Sequence, residues 1–375
     1  MSKCHHRVEP EVVDRPPDFD LQSRFCLILL LAGSLSCSEE PQGLDGGDGG
    51  LAEPSCLSRT DGCEPRVGAS VVACGLDFPK DQVVVGEWLY FTEESRVGRT
   101  ALTGDCGVEI LWEVPGAIPF GIAASDDAVY WTVPMAGRVF AYELRSGKVS
   151  LLSEAEDGAL GIDGSGSTVV WVNSDSGVLR RFDPTTRSIQ DVASGLTMAT
   201  AVVLNGEQEV IVSATSTTPL SLRVAWVDLQ SGAVRTLASG FPHNTNGALA
   251  LDRATGQVAF TASRSLPITV GCAMPYKLRC WDGTVGVVGL DGAGLRVLSR
   301  LEQPVTGVTW LGGAVVYAAY AELRRNAGGS ESLLLEDVAG GLALQPLGES
   351  SFLVLDPQLY TDVIRPNGRV LRYGP

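Results

Sequence analysis

Runs of three apolar, β-prone residues return along the chain at a nearly constant interval. Leu89-Tyr90-Phe91 is followed by Val129-Tyr130-Trp131, Val169-Val170-Trp171 and Val210-Ile211-Val212, whose middle residues are 40, 40 and 41 positions apart. Weaker echoes stand at Val258-Ala259-Phe260 and Val315-Val316-Tyr317. β-branched and aromatic residues favour extended backbone, and turn residues bound each run. Within the clearest unit, Phe120 to Ala124 predicts an inner strand and Ala128 to Val133 an apolar second strand. Arg138 to Leu144 alternates polar and apolar residues, as a half-exposed third strand does, and Lys148 to Leu152 predicts a fourth. Ser146-Gly147, Ser231-Gly232 and Asp291-Gly292 punctuate the third-to-fourth hairpins, where tight turns need positive φ.

Four antiparallel strands in about 40 residues make one blade of an all-β propeller. The same plan places third and fourth strands at 177–183 and 188–192, at 223–228 and 234–237, at 283–290 and 295–298, and at 332–337 and 342–344. Gln82 to Val114 fills an earlier blade, with Cys106 in its third-to-fourth turn. The end of the chain predicts three strands, Phe352 to Leu355, Tyr360 to Ile364 and Arg369 to Tyr373. Ala69 to Ala73 can supply the missing fourth, closing the ring and hiding two sheet edges. The count is seven blades, with six as the runner-up.

Val129-Tyr130-Trp131-Thr132 followed by Gly137-Arg138-Val139 resembles the YWTD-type blade of lipoprotein-receptor propellers, with Val133 where that motif carries Asp. The overall form is similar to that of secreted bacterial propeller lipoproteins. This resemblance spans most of residues 70–375. It implies a propeller in an extracytoplasmic setting and transfers no catalytic residue.

Charge and cysteine content extend the same picture. Formal net charge is −16 and no Lys/Arg-rich run occurs, which argues against a nucleic-acid partner. Arg24 precedes the apolar run Phe25 to Leu35, about half the ~20 residues a spanning helix needs. The run ends in small residues, as an export signal does. Ser34-Leu35-Ser36-Cys37 resembles a bacterial lipobox, which implies lipidation of Cys37. Residues 1–36 are thus expected to be a signal segment, 37–67 an acidic Gly-rich tether and 68–375 the propeller. Six cysteines remain beyond Cys37: Cys56, Cys63, Cys74, Cys106, Cys272 and Cys280. An even number in an exported chain predicts disulfides. Six cysteines allow many connectivities, and the simplest joins Cys56–Cys63, Cys74–Cys106 and Cys272–Cys280. No Cys-x-x-Cys pair suggests zinc.

Connections from second to third strand, and from one blade to the next, share one propeller face. Three long connections of this kind are predicted side by side: Ser213 to Ser221, Ser263 to Asp282 and Ala321 to Ser330. Long loops on a rigid scaffold commonly carry binding. Tyr276, Lys277, Arg279 and Trp281 in the longest, with His243, Asn244 and Asn246 entering the same face, form the candidate binding set. His243 is the one histidine after residue 36 and reads as an exposed turn residue whose replacement by Ala leaves the fold intact. Nucleophile-elbow, zinc-protease, phosphate-loop and dinucleotide motifs are all missing, so no catalytic, cofactor or metal residue is assigned. Inner-strand segments such as Gly121 to Ala124 and Ala248 to Leu251 are small and apolar. The expectation is a monomeric, non-enzymatic binding module for a protein, small-molecule or carbohydrate ligand. It would meet a membrane only through its lipid anchor, on the periplasmic or surface side, with free secretion as the alternative. A propeller lyase, lactonase or hydrolase with a divalent cation on the channel is the alternative function, since fold alone assigns none.

Overall fold

A strand with apolar residues at consecutive positions must be covered on both faces. Ala128–Val133 and Thr168–Asn173 are buried at every position, and so is Ala314–Ala319. Stacking sheets around a ring covers both faces of each. A computed structural model shows this arrangement. It describes residues 67–374 apart from 104–106, 218, 244–246, 266–280, 337, 339–342 and 358–367.

Seven four-stranded antiparallel sheets follow one another along the chain. After β1 (Ala69–Leu76), blade 1 holds β2 (Gln82–Val85), β3 (Trp88–Thr92), β4 (Arg96–Ala101) and β5 (Glu109–Glu113). Blade 2 holds β6 (Ile122–Ala124), β7 (Ala128–Val133), β8 (Arg138–Glu143) and β9 (Lys148–Ser153). Blade 3 comprises β10 (Ala159–Ser165), β11 (Thr168–Asn173), β12 (Val178–Asp183) and β13 (Ser188–Ala193). In blade 4 come β14 (Ala201–Asn205), β15 (Glu209–Thr217), β16 (Leu220–Asp228) and β17 (Val234–Pro242). Blade 5 is built from β18 (Leu249–Asp252), β19 (Gln257–Ser265), β20 (Trp281–Gly289) and β21 (Arg296–Leu301). Blade 6 has β22 (Val305–Leu311), β23 (Ala314–Ala319), β24 (Glu322–Ala327) and β25 (Ser330–Glu336). The last blade joins β26 (Leu344–Pro346), β27 (Phe352–Asp356) and β28 (Gly368–Tyr373) to β1 as its outermost strand. The chain is therefore a seven-bladed propeller, and six blades are excluded.

Ring closure follows the expected plan. β1 pairs with β28 from Ala69↔Tyr373 to Leu76↔Gly368. The last two blades differ from the sequence reading. Ser332 to Asp337 was expected as a third strand, yet β25 is the outermost strand of blade 6 and the third is β24. The predicted loop Ala321 to Ser330 is thus mostly strand. Its charged residues lie on a half-exposed sheet surface, where Arg324 pairs with Glu322 and Glu331, while Leu323 is fully buried. Leu344 opens the inner strand of blade 7 instead of ending blade 6. Tyr360 to Ile364 falls outside the described residues.

Packing follows the period-2 rule of strands. Val169 and Trp171 face blade 2, whereas Val170 and Val172 face blade 4. Blade 5 repeats this, with Val258 and Phe260 toward blade 4 and Ala259 toward blade 6. Each interface between neighbouring blades holds its own apolar cluster, so the core is a ring of separate layers.

Polar stitches join the layers. The Thr92 hydroxyl donates to Phe120 O at 2.7 Å, and the Thr132 hydroxyl donates to Leu160 O at 2.9 Å. Ser263 donates likewise to Val305 O at 3.0 Å. Each hydroxyl leaves a second strand and reaches the entry to the next blade's inner strand. Glycine permits the close approach this needs. A Cβ on Gly121 would stand 2.5 Å from Leu160 O, and one on Gly161 would stand 2.7 Å from Thr200 O.

Candidate functional site

The up-and-down order of four strands puts the second-to-third connections and the inter-blade connections on one face, called upper here. On that face blades 4 and 5 stand apart. In blade 3 the second and third strands pair as far as Asn173↔Val178. The corresponding hairpin of blade 4 continues through Ala214↔Arg223, Thr215↔Leu222, Ser216↔Ser221 and Thr217↔Leu220. Blade 5 continues in the same way through Ala262↔Thr284, Ser263↔Gly283, Arg264↔Asp282 and Ser265↔Trp281. Ala214↔Arg223 and Ala262↔Thr284 stand where blade 3 has Asn173↔Val178, so three further residues per strand at ~3.3 Å each raise both hairpins by roughly 10 Å. The predicted loop Ser213 to Ser221 is thus a paired hairpin. Ser263 to Asp282 begins and ends in strand. Three adjacent loops reduce to two adjacent raised hairpins, because the third segment is strand β24.

Several predicted site residues lie outside the described residues: Asn244, Asn246, Tyr276, Lys277 and Arg279, along with Cys37, Cys56, Cys63, Cys106, Cys272 and Cys280. Trp281 is described and buried, paired opposite Ser265 at the start of β20, so it is not presented at the surface. Cys74 lies half-buried on β1.

His243 departs from its expected exposure. Only 1% of it is accessible. β17 runs on to Pro242, and Phe241 packs on Phe260 of the next blade with ring centroids 5.0 Å apart. This carries His243 under the junction of the two raised hairpins. Its Nδ1 accepts from Ser263 N at 3.4 Å. Burial drives its pKa down to about 4, so the ring is neutral at physiological pH. With Nδ1 accepting, the hydrogen resides on Nε2, and Nε2 has no partner among the described residues. Ser213 Oγ, equally buried, also has none. Both border Gly247. A Cβ there would stand 2.6 Å from Ser213 Oγ, 3.1 Å from Thr261 O and 3.3 Å from His243 Cε1.

Two carboxylates on the inner strands escaped the sequence reading. Asp81 Oδ1 accepts from Gln82 N at 2.9 Å and Oδ2 from Ile122 N at 3.0 Å. Asp163 Oδ1 accepts from Gly164 N at 2.8 Å and Oδ2 from Leu204 N at 2.7 Å. Each carboxylate thus ties its own inner strand to that of the next blade, 41 residues ahead. An inner strand has one edge without a strand partner, and these side chains satisfy N–H groups there. Burial raises Asp81 to about 7 and Asp163 to about 6 against the N–H bonds that lower them. The recurring 41-residue offset was the signal available in the sequence.

Elsewhere on the upper face, Glu156 accepts from Trp171 Nε1 at 3.1 Å, Asn173 Nδ2 at 2.7 Å and Arg180 Nη1 at 2.7 Å, which anchors the connection into blade 3. Buried Glu93 accepts from Arg96 at 2.9 Å and from Asp77 N. Among the described residues, no group of three or more His, Cys, Asp or Glu could hold a metal ion. Five described non-glycine residues have positive φ: Phe78, Ala155, Met198 and Tyr320 sit in upper-face connections, and Arg187 in the lower-face turn of blade 3. Such backbone is strained for residues of this size and concentrates where a surface is shaped for use.

No family model matches the chain, and no curated protein matches it. Solved structures do resemble it. The WD40 repeats of RRP9 align with a TM-score of 0.61 and 10% identity, over 83% of this chain and 98% of that one. Virginiamycin B lyase from Staphylococcus aureus aligns with a TM-score of 0.58 and 8% identity, over 81% and 97% respectively. The β-propeller domain of Myceliophteria thermophila Cps50 gives 0.57 and 12%, over 81% and 99%. At such identities the likeness is one of fold.

Proposed function

We propose that the chain is a binding module, an exported propeller held to a membrane through Cys37, whose upper face at blades 4 and 5 engages a ligand. One observation carries this reading: two adjacent blades alone among the described hairpins extend their middle strands by three residue pairs, both on the same face. A rigid ring with a local raised wall suits recognition, and four of the five strained non-glycine residues share its face. Catalysis on the channel would need carboxylates free of other duties, whereas Asp81 and Asp163 hold backbone N–H groups. The WD40 and lyase propellers of similar fold do not decide between these roles.

Export and anchoring rest on Arg24, the apolar run to Leu35 and the lipobox-like Ser34 to Cys37. Three disulfides, Cys56–Cys63, Cys74–Cys106 and Cys272–Cys280, complete the proposal, and Cys74 is not a free thiol. Fatty-acid probe labelling of the wild type and Cys37→Ala tests the anchor, with label expected on the wild type alone. For the binding face, residues 214–223 are replaced by an Asn-Gly turn, and cross-linked partners in the exporting cell are compared with the wild type. A partner lost in this variant but kept when lower-face Thr185 and Thr186 become Ala supports the assignment. Equal retention in both refutes it.

A further inference from the structure

The apolar layers between blades end at the circumference, where an outermost strand turns an unpaired edge to solvent. Between blades 4 and 5 the layer does not stop there. Its outer members include Trp226 and Leu290, both half-buried. Leu295 and Val297, exposed at 46% and 38%, carry apolar surface into solvent. Register fixes the side on which it lies. Val297 stands opposite Gly286, itself opposite Phe260 of that layer, and directly opposite residues share a sheet face. Arg300, opposite Thr284 and through it Ala262, likewise turns toward blade 4. From the other wall Arg235, opposite Trp226 and through it Ile211, turns toward blade 5. Its guanidinium lies 5.1 Å from the Trp226 ring centre and reaches across to donate to Leu290 O at 2.7 Å. A cleft thus runs between β17 and β21, with apolar walls and a guanidinium toward each end.

Its charge runs against that of the whole chain. Net charge is −16, yet neither β17 nor β21 holds an acidic residue. Arg235 and Arg300 are both exposed, and neither pairs with a carboxylate among the described residues. We propose that this cleft receives an extended acidic segment of a partner protein, laid along the free edge of β21. Its carboxylates meet Arg235 and Arg300, and an apolar side chain between them packs on Leu295 and Val297. Strand addition to an edge satisfies main-chain groups on both partners, while alternate side chains give specificity. Leu295 to Arg300 covers about 16 Å of extended chain, so the segment is about six residues long. A nucleic acid fits worse, because a polyanion is repelled by the rest of the surface. A second copy fits worse for the same reason. This surface lies on the circumference and is independent of the upper-face reading.

The test titrates the full chain with the peptide acetyl-Asp-Glu-Val-Leu-Asp-Glu-amide, followed by ¹H–¹⁵N spectra and amide exchange. The same peptide with Lys at every acidic position is the control. Saturable shifts in Arg296 to Leu301 and slower exchange of β21 amides are expected with the acidic peptide alone, weakening at high salt. Arg300→Gln should weaken binding about threefold and Arg300→Glu about tenfold or more, as removal and reversal of one exposed charge contact. Lys148→Gln, on the outer strand of blade 2, should change nothing. Circular dichroism confirms that each variant folds. A flat titration of the folded wild type overturns the proposal, as do an equal response to the Lys peptide or undiminished binding by Arg300→Glu. Self-association that Arg300→Glu abolishes, alongside a flat titration, gives the cleft to a second copy and overturns the peptide assignment.

Discussion

Asp163→Asn isolates the electrostatics of the inner ring. Asp163 sits on β10 with both carboxylate oxygens bound to backbone N–H groups, one of them on the next blade. Burial nevertheless raises its pKa from 3.8 to about 6, because desolvation outweighs those two bonds and the attraction of Arg253. The folded state then holds a proton across a range where the unfolded chain has released it. Its contribution is fully present below pH 3.8 and is lost as pH rises through about 6. About 2 units at ~1.4 kcal/mol each give a loss of up to roughly 3 kcal/mol. Asparagine keeps one acceptor, cannot titrate, and presents its amide hydrogens to an N–H group, a penalty independent of pH. Asp81 titrates in both proteins, and because the Asp163 charge helps to raise it, the substitution also eases its titration and moves the difference in the same direction. Urea denaturation followed by fluorescence of the buried Trp131 and Trp171, at pH values from 4 to 7.5, measures that difference. The wild type should lose up to roughly 3 kcal/mol relative to Asp163→Asn across the range. A difference that stays flat, or that moves in favour of the wild type as pH rises, refutes the reasoning.

Gly161→Val should lower stability by about 2–3 kcal/mol, because its Cβ would meet Thr200 O at 2.7 Å and Ala201 Cα at 2.8 Å, backbone that cannot rotate aside; an unchanged melting temperature would contradict this. Glu156→Ala leaves Trp171 Nε1, Asn173 Nδ2 and Arg180 Nη1 without their acceptor, while Arg180 Nε keeps Asp191, and should cost about 2 kcal/mol or more by chemical denaturation, with Glu156→Gln milder. The His243 imidazole should titrate near pH 4 by NMR, as burial predicts, and a midpoint near 6.5 would show it to be solvated. Deleting residues 67–76 removes β1, and amides of Arg369 to Tyr373 should then lose hydrogen-exchange protection; unchanged protection would show that closure does not depend on β1.

The middle strands were legible because burial on two faces forces consecutive apolar residues, and no other element of this length needs them. β1 was legible for a related reason, an apolar strand with no partner nearby in sequence. The raised hairpins were not. Ser213 to Ser221 is rich in Ser and Thr, residues as common in turns as in strands, and pairing alone distinguishes the two. Glu322 to Ala327 misled because its charges lie on an outer surface while only Leu323 and Asn326 are buried. Asp81 and Asp163 read as single turn residues, since their role depends on a strand from another blade. His243 was misplaced because its burial comes from two neighbouring hairpins whose lengths its local sequence does not encode.

The direction of β1 sets the face on which the chain joins the ring. As an outermost strand it runs from the lower face to the upper, so the chain enters the ring at Ala69 from below. The hairpins of blades 4 and 5 rise from the opposite face. A fusion partner or surface tether attached through β1 would therefore join the ring away from them.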